Sequence, residues 1–140
     1  MNNYTIDEIK IGDEVSFLYE ITEEKMNMFM KITGDINPLH TDIEYAKEKG
    51  YSEKVVYGML TSSILSTLAG IYMPGEHSLI HSIEINFVRP VFLSRCPLEV
   101  NAKVVEKDDR FNTIKLKYQI LDSKLEKVLR GNMIIGFTNK

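Results

Sequence analysis

Residues 58–72, GMLTSSILSTLAGIY, are long enough for about four turns of helix and carry no charged side chain. Large apolar residues recur around this stretch, and small residues fill the remaining positions. A helix that is apolar on nearly every side must be buried on nearly every side. This requirement is severe for a chain of only 140 residues, because most of the remaining chain has to cover one helix.

The sequence from residue 78 onward changes to an alternation of apolar and polar residues, which is typical of strands with one buried face. The apolar sets are Ile83, Ile85 and Phe87; Leu98, Val100, Ala102 and Val104; Ile114, Leu116, Tyr118 and Ile120; and Leu129, Gly131, Met133, Ile135 and Phe137. Short turn-forming stretches separate them, which predicts an antiparallel sheet. We therefore expect residues 1–140 to form one α+β domain, with the antiparallel sheet wrapped around the long central helix.

The N-terminal part of the chain predicts a strand and two helices. Residues 14–21 form a short apolar run, and Thr22 can cap a following helix whose first turn is acidic. Gly34 is a natural end for that helix. Residues 42–49 predict a small polar helix that starts at an acid.

Composition limits the partners and the compartment of the protein. The chain is 44% apolar and 26% charged, with a formal charge of −3, so its overall charge favours neither nucleic acid nor an anionic membrane. Cys96 is the only cysteine, which excludes an intrachain disulfide. No signal-peptide pattern begins the sequence, and we expect a cytoplasmic protein. Residues 89–130 hold ten basic and six acidic residues, which suits either a phosphate-bearing ligand or solvated strand faces.

The stretch ITGDINPLH, residues 32–40, places a carboxylate and an imidazole five positions apart in a loop. Asp35 and His40 could together hold a water molecule and move protons to and from a substrate. Asn37 can hold the backbone of the loop, and Pro38 restricts it further. The alternative interpretation is an ordinary turn after a helix.

Gly58 is predicted to open the buried helix. The first backbone N–H groups of a helix have no partners within it, and they lie at its positive end. Glycine at this position would let a carbonyl oxygen approach those groups closely. A tight turn without a ligand explains the glycine equally well.

Three stretches, in the expected order, resemble one known family. FMKITGDINPLHTDIEYAKEKG is similar to the signature of the MaoC-like, (R)-specific enoyl-CoA hydratase family, VVYGMLTSSILSTLAG to the start of its central helix, and FVRPVF to the end of one of its strands. The resemblance implies the hot dog fold. It also implies reversible hydration of trans-2-enoyl thioesters to (R)-3-hydroxyacyl thioesters.

The resemblance assigns a role to individual residues of this chain. Asp35 and His40 would activate the water, and the Gly58 N–H would bind the thioester carbonyl. Ser66 would orient the catalytic carboxylate, and Asn37 would position the loop. No cofactor or metal ion is implied, because the substrate itself carries CoA or phosphopantetheine.

Two departures and two rival functions accompany the resemblance. Tyr57 stands where the family usually has histidine, which we expect to change substrate shape rather than abolish activity, and LSRCP replaces the usual turn at 93–97. The rivals are another hot dog thioester enzyme, such as a thioesterase, and a non-catalytic subunit that binds acyl thioesters or assists assembly. We expect a homodimer or higher homo-oligomer, with an acyl-carrier protein as a further candidate partner, and no nucleic-acid or membrane partner.

Overall fold

The computed structural model describes residues 1–139. The strands are β1 (Glu14–Tyr19), β2 (Ser78–Phe87), β3 (Leu98–Asp108), β4 (Thr113–Leu121) and β5 (Lys127–Phe137). The helices are α1 (Glu23–Thr33), α2 (Pro38–Thr41), α3 (Ile43–Glu48) and α4 (Gly58–Thr67). Short 3-10 turns occupy Ile6–Glu8 and Leu93–Arg95.

The five strands form one sheet in the order β1-β3-β4-β5-β2, with every neighbouring pair antiparallel. The chain therefore places β1 and β2 at the two edges, and the three C-terminal strands follow one another as hairpins in the centre. The predicted α+β class and antiparallel sheet are confirmed.

The core lies between the inner face of this sheet and α4. The alternating residues of β3, β4 and β5 are buried as the period predicts, including Val100, Leu116 and Met133. Ile64 and Leu65 of α4 are buried against them. None of the helices within residues 1–139 combines the length and the apolar character needed to cross a membrane.

The long central helix is only partly confirmed. Regular α-helix ends at Thr67, and a π-helical turn continues from Leu68 to Tyr72. The Met73 N–H donates to the Leu68 carbonyl, five residues back, instead of to the fourth. Gly70 lies in this turn, and glycine weakens regular helix because its backbone has more freedom to lose.

The predicted caps of α1 are confirmed. Thr22 Oγ1 accepts from the Lys25 N–H, and Gly34 closes the helix with φ of 74°, the left-handed conformation that glycine adopts readily. Asp42 caps α3 by accepting from two N–H groups of its first turn. The first strand ends at Tyr19, two residues earlier than expected.

The edge strand β2 differs from the prediction. Ile83 and Phe87 lie opposite Met133 and Leu129, on the inner face of the sheet, yet they are 39% and 54% exposed. The alternation of apolar and polar residues correctly identifies which side chains of β2 lie on the inner face. Burial also requires that other elements cover that face. Because β2 is an edge strand with a neighbour on one side only, these side chains are less covered than those of the central strands.

Candidate active site

The loop between α1 and α2 is held by hydrogen bonds between its own side chains and backbone. Thr33 Oγ1 accepts from the Asp35 N–H at 3.1 Å, and Asp35 Oδ1 accepts from the Asn37 N–H at 3.0 Å. Asn37 Oδ1 accepts from the Leu39 N–H at 2.9 Å and caps α2, with Pro38 at the first helical position. Such local bonds fix the path of a loop without help from the core.

His40 lies in α2 and is partly buried. Its Nδ1 is 2.7 Å from the carbonyl oxygen of Val55. Because a carbonyl oxygen only accepts, Nδ1 carries the proton in the neutral ring, and Nε2 has the free lone pair. The imidazole is thus oriented to take a proton at Nε2.

Tyr57 connects the two predicted acid–base residues. Its hydroxyl donates to the backbone carbonyl of Asp35 at 2.6 Å, and its ring stacks on the His40 imidazole with centroids 4.2 Å apart. Phe29 of α1 packs on the same ring at 4.9 Å. Burial, and to a lesser extent the charge of Asp35, raises the pKa of the Tyr57 phenol, so the hydroxyl stays protonated and remains a donor.

Gly58 directly follows Tyr57 and begins α4. No side chain of the N-cap residue bonds to the first turn, so its N–H groups remain available. A Cβ placed on Gly58 would lie 2.9 Å from Cε1 of Phe87. Gly58 does not adopt a left-handed φ, so a tight turn does not explain it. The close approach of the Phe87 ring does, because a side chain at position 58 would require that ring to move.

Ser66 lies two turns further along α4, on the face that also exposes Met59 and Ser63. Among the residues described, the hydrogen bonds of Asp35 do not include one from Ser66. The role of Ser66 in orienting the carboxylate stays a prediction.

Two concavities differ in size and in chemistry. A cavity of about 190 Å³ lies beside the site, lined by Glu23, Met26, Asn27, Met30, His40, Thr41, Lys54 and Tyr57. A broader groove of about 770 Å³ crosses the outer face of the sheet, where Lys103, Lys117 and Arg130 are exposed to solvent. The larger groove contains none of the predicted site residues, and the smaller cavity is lined by His40 and Tyr57 but not by Asp35 or Gly58.

Asp35 lies in the loop and His40 in α2, and Tyr57, which contacts both residues, directly precedes the N-terminus of α4. The carboxyl group of Asp35 and Nε2 of His40 can exchange protons with a water molecule or a substrate. The N–H groups of the first turn of α4 can stabilise negative charge on an oxygen. Within residues 1–139, no set of three or more His, Cys, Asp or Glu side chains is arranged to hold a metal ion.

Sequence reasoning missed the contacts that hold these groups. The Val55 carbonyl that orients His40 is a backbone group, and no residue type identifies it in advance. Phe29 lies within α1, for which the sequence predicts only the two ends. The unusual Tyr57 was the one detectable signal, because it departs from the expected histidine beside Gly58.

Comparison with known proteins places this geometry in a family. The family model described as MaoC like domain matches residues 8–124. The chain belongs to the MaoC-like family. The resemblance found in the sequence is thereby confirmed.

Curated relatives carry related names. An (R)-specific enoyl-CoA hydratase from Aeromonas caviae is 29% identical over 96 residues, which is 69% of this chain and 69% of that protein. A mitochondrial 3-hydroxyacyl-[acyl-carrier-protein] dehydratase from Arabidopsis thaliana is 29% identical over 85 residues, 61% of this chain. The match spans only 50% of the Arabidopsis protein.

Solved structures agree on the fold. The (R)-hydratase from A. caviae superposes with a TM-score of 0.87 at 22% identity, covering 93% of this chain and 98% of that one. An R-hydratase from Pseudomonas aeruginosa also gives 0.87, at 24% identity, covering 99% of this chain and 88% of that one. The hot dog arrangement expected from the sequence is confirmed.

Proposed function

We propose that this chain is a hydro-lyase that reversibly adds water to trans-2-enoyl thioesters, giving (R)-3-hydroxyacyl thioesters. The observation that carries the proposal is that Tyr57 contacts both Asp35 and His40 and directly precedes Gly58. One residue thus links an acid–base pair to the open N-terminus of a buried helix. Addition of water to an enoyl thioester needs those two features together.

The reaction follows from the chemistry of the groups. The Gly58 N–H donates to the thioester carbonyl, which draws electron density from the β-carbon. Asp35 and His40 remove a proton from water as its oxygen bonds to the β-carbon, and they deliver a proton to the α-carbon. The net change is the addition of one water molecule, and the reverse sequence is dehydration.

The names of the relatives support the same reaction class. The A. caviae protein is named as a hydratase of enoyl-CoA, and the Arabidopsis protein as a dehydratase of 3-hydroxyacyl groups on acyl-carrier protein. Both names describe the movement of water at an acyl thioester. The thioester carriers differ, and we propose that this chain accepts CoA, acyl-carrier protein or both.

The two rival functions predict different products. A thioesterase would release a free thiol, whereas a hydratase consumes the conjugated double bond and leaves the thioester intact. A binding subunit would retain the thioester and change neither. Assays of enoyl absorbance and of thiol release on crotonyl-CoA distinguish all three.

The test of the proposed roles is substitution of the acid–base pair. We expect Asp35→Asn and His40→Ala each to lower the rate of crotonyl-CoA hydration by about 10²–10⁴-fold, the usual contribution of a positioned acid or base. Asp109→Asn and His77→Ala are matched controls, because neither residue lies at the site, and Asp109 is exposed. Wild-type rates in both site variants would reject the assignment.

We propose that no resident cofactor takes part. Addition of water is redox-neutral, and the acid–base pair with one N–H donor supplies every group that the step requires. Activity should therefore survive dialysis against EDTA. Parallel assays with crotonyl groups on CoA and on acyl-carrier protein would identify the carrier.

We also propose that two copies pair through the β2 edge. Leu79, Ile83 and Phe87 of that edge are exposed, and so is Met59 on the nearby face of α4. An unpaired strand edge with apolar side chains is a ready surface for a second copy. Light scattering should show a dimer or higher oligomer, and Ile83→Lys should shift it toward monomer. A wild-type monomer at micromolar concentration would reject this assembly.

A further inference from the structure

We propose that Tyr57 is a positioning residue that sets the geometry of Asp35 and His40 relative to the first turn of α4. Its kinetic consequence rests on the proposed hydration reaction. The contacts themselves do not, because they join the three parts of the site whatever the substrate.

The hydroxyl of Tyr57 holds the peptide of Asp35. Asp35 is exposed, and its other hydrogen bonds run to Thr33 and Asn37 within the same loop. The 2.6 Å bond from Tyr57 joins Asp35 to the segment leading into α4. Without that bond, the local bonds would preserve the shape of the loop but would leave its distance from α4 less well defined.

The ring of Tyr57 holds the imidazole of His40. Val55 fixes the edge of the imidazole through Nδ1, and Tyr57, two residues later, covers its face. Phe29 supports the phenol ring from α1. Residues 55–57 therefore determine both the tautomer and the plane of the imidazole, and the same segment continues directly into Gly58.

A phenol at this position differs from an imidazole in one respect that matters for pH dependence. The pKa of Tyr57 is raised, so its hydroxyl donates throughout the neutral range. The histidine usual in the family would titrate near neutrality. The charged side chains that line the cavity beside His40 are Glu23 of α1 and Lys54 before α4, and Tyr57 adds no further titrating group near neutral pH.

Two measurements test the positioning role without any substrate. The chain has three histidines, so the imidazole Hε1 signals of His40, His77 and His81 can be assigned by substitution. Tyr57→Leu removes the stacked ring and should move only the His40 signal downfield. Tyr57→Phe should leave that signal in place while shifting the ¹³C carbonyl resonance of Asp35. If Tyr57→Leu leaves the His40 signal unmoved, the stacking role is rejected.

Kinetics test the consequence for the reaction. We expect Tyr57→Phe to lower kcat about five- to tenfold with little change in KM, because one lost hydrogen bond loosens the acid–base pair and not the binding of substrate. Tyr57→His should restore much of kcat and add an ionisation near neutral pH to the rate profile.

Tyr118→Phe is the matched control for the loss of a buried tyrosine hydroxyl. Tyr118 also donates to a backbone carbonyl, that of Glu84, at 2.8 Å, but within the sheet. It should lower thermal stability and leave kcat and the pH profile unchanged. If Tyr57→Phe behaves in the same way, its role is only structural and the inference is wrong. The Tyr57 variants could show the expected NMR shifts while the wild-type protein has no hydratase activity. That result would reject the proposed function and leave the positioning role intact.

Discussion

The loop of the candidate site and the centre of the sheet are each held by a tyrosine that donates to a backbone carbonyl. Tyr57 bonds to Asp35 at 2.6 Å, and Tyr118 bonds to Glu84 at 2.8 Å. The bond in the sheet joins strands that are already connected through the β4–β5 and β5–β2 ladders. The bond at the site joins an exposed loop to a separate segment. The same interaction therefore reinforces one region and defines the geometry of the other.

The two regions also differ in how well they tolerate a Cβ added at a glycine. Gly131 of β5 lies opposite Tyr118, and a Cβ there would meet the Glu84 carbonyl at 1.9 Å. At Gly58 the nearest obstacle is the ring of Phe87, at 2.9 Å. Strand backbone cannot move aside without breaking its ladder, whereas an exposed phenyl ring can rotate.

The largest effect is expected in the sheet. Gly131→Ala should lower the free energy of unfolding by about 3 kcal/mol or more, because the methyl group collides with the backbone of β2 as well as with the Tyr118 hydroxyl. Urea unfolding followed by circular dichroism measures the loss. Tyr118→Phe in the same chain should not restore stability, since the collision with the backbone remains.

Gly70→Ala is the control for that prediction. The nearest atom to a Cβ at Gly70 is Ser78 Oγ at 3.9 Å, an ordinary contact, so this change should be close to neutral. Similar losses in both variants would mean that any added methyl group disturbs the fold, and the contrast between the two regions would not hold.

The fold was largely predictable because the spacing of apolar residues along the chain reflects the local geometry of each strand or helix. Alternation in β3, β4 and β5 identified the buried residues, and Thr22 with Gly34 identified the ends of α1. The exposure of Phe87 was not predictable, since it depends on what lies beyond the edge of the sheet. The change from α-helix to π-helical turn at Leu68 depends on tertiary packing that a single stretch does not encode.

The site was predictable in its chemistry and not in its support. The spacing of Asp35 and His40 in one loop made an acid–base pair a reasonable hypothesis. The Val55–His40 and Tyr57–Asp35 bonds join residues that are 15 and 22 positions apart in the sequence. Both bonds involve a backbone carbonyl, which every residue has. A pattern of residue types identifies candidate reacting groups, but it does not show which peptide holds them.

An intermediate effect is expected where the site and β2 meet. Gly58→Ala should fold normally, because the ring of Phe87 can move, and should lower the hydration rate roughly tenfold by obstructing the N–H groups of the first turn. Steady-state kinetics with crotonyl-CoA measures the loss. If Gly58 has the proposed role, the rate falls because the added methyl group keeps the thioester carbonyl away from the N–H groups. It does not fall because the Phe87 ring is displaced.

The double variant Gly58→Ala, Phe87→Leu separates those two causes. If the ring alone were responsible, leucine at position 87 would restore activity to the level of Phe87→Leu. We expect no such recovery. Light scattering on the same samples shows whether the change at β2 has altered the oligomeric state.

The smallest effect concerns the tyrosine of the sheet. Tyr118→Phe should lower the free energy of unfolding by about 1 kcal/mol near pH 8, the usual value of one hydrogen bond. Burial, with a further contribution from the charge of Glu84, raises the pKa of Tyr118 from 10.0 to about 12. Between those two pH values the unfolded chain loses the phenolic proton and the folded chain keeps it.

The stability that this raised pKa confers is complete below pH 10 and is lost as the pH rises to about 12. The wild-type protein should therefore weaken more steeply over this range than Tyr118→Phe, and urea midpoints measured at several pH values would show it. Tyr57→Phe removes a tyrosine whose pKa is also raised, so the same series compares the two regions directly. Equal slopes in the wild type and in Tyr118→Phe would mean that the phenol of the sheet titrates normally.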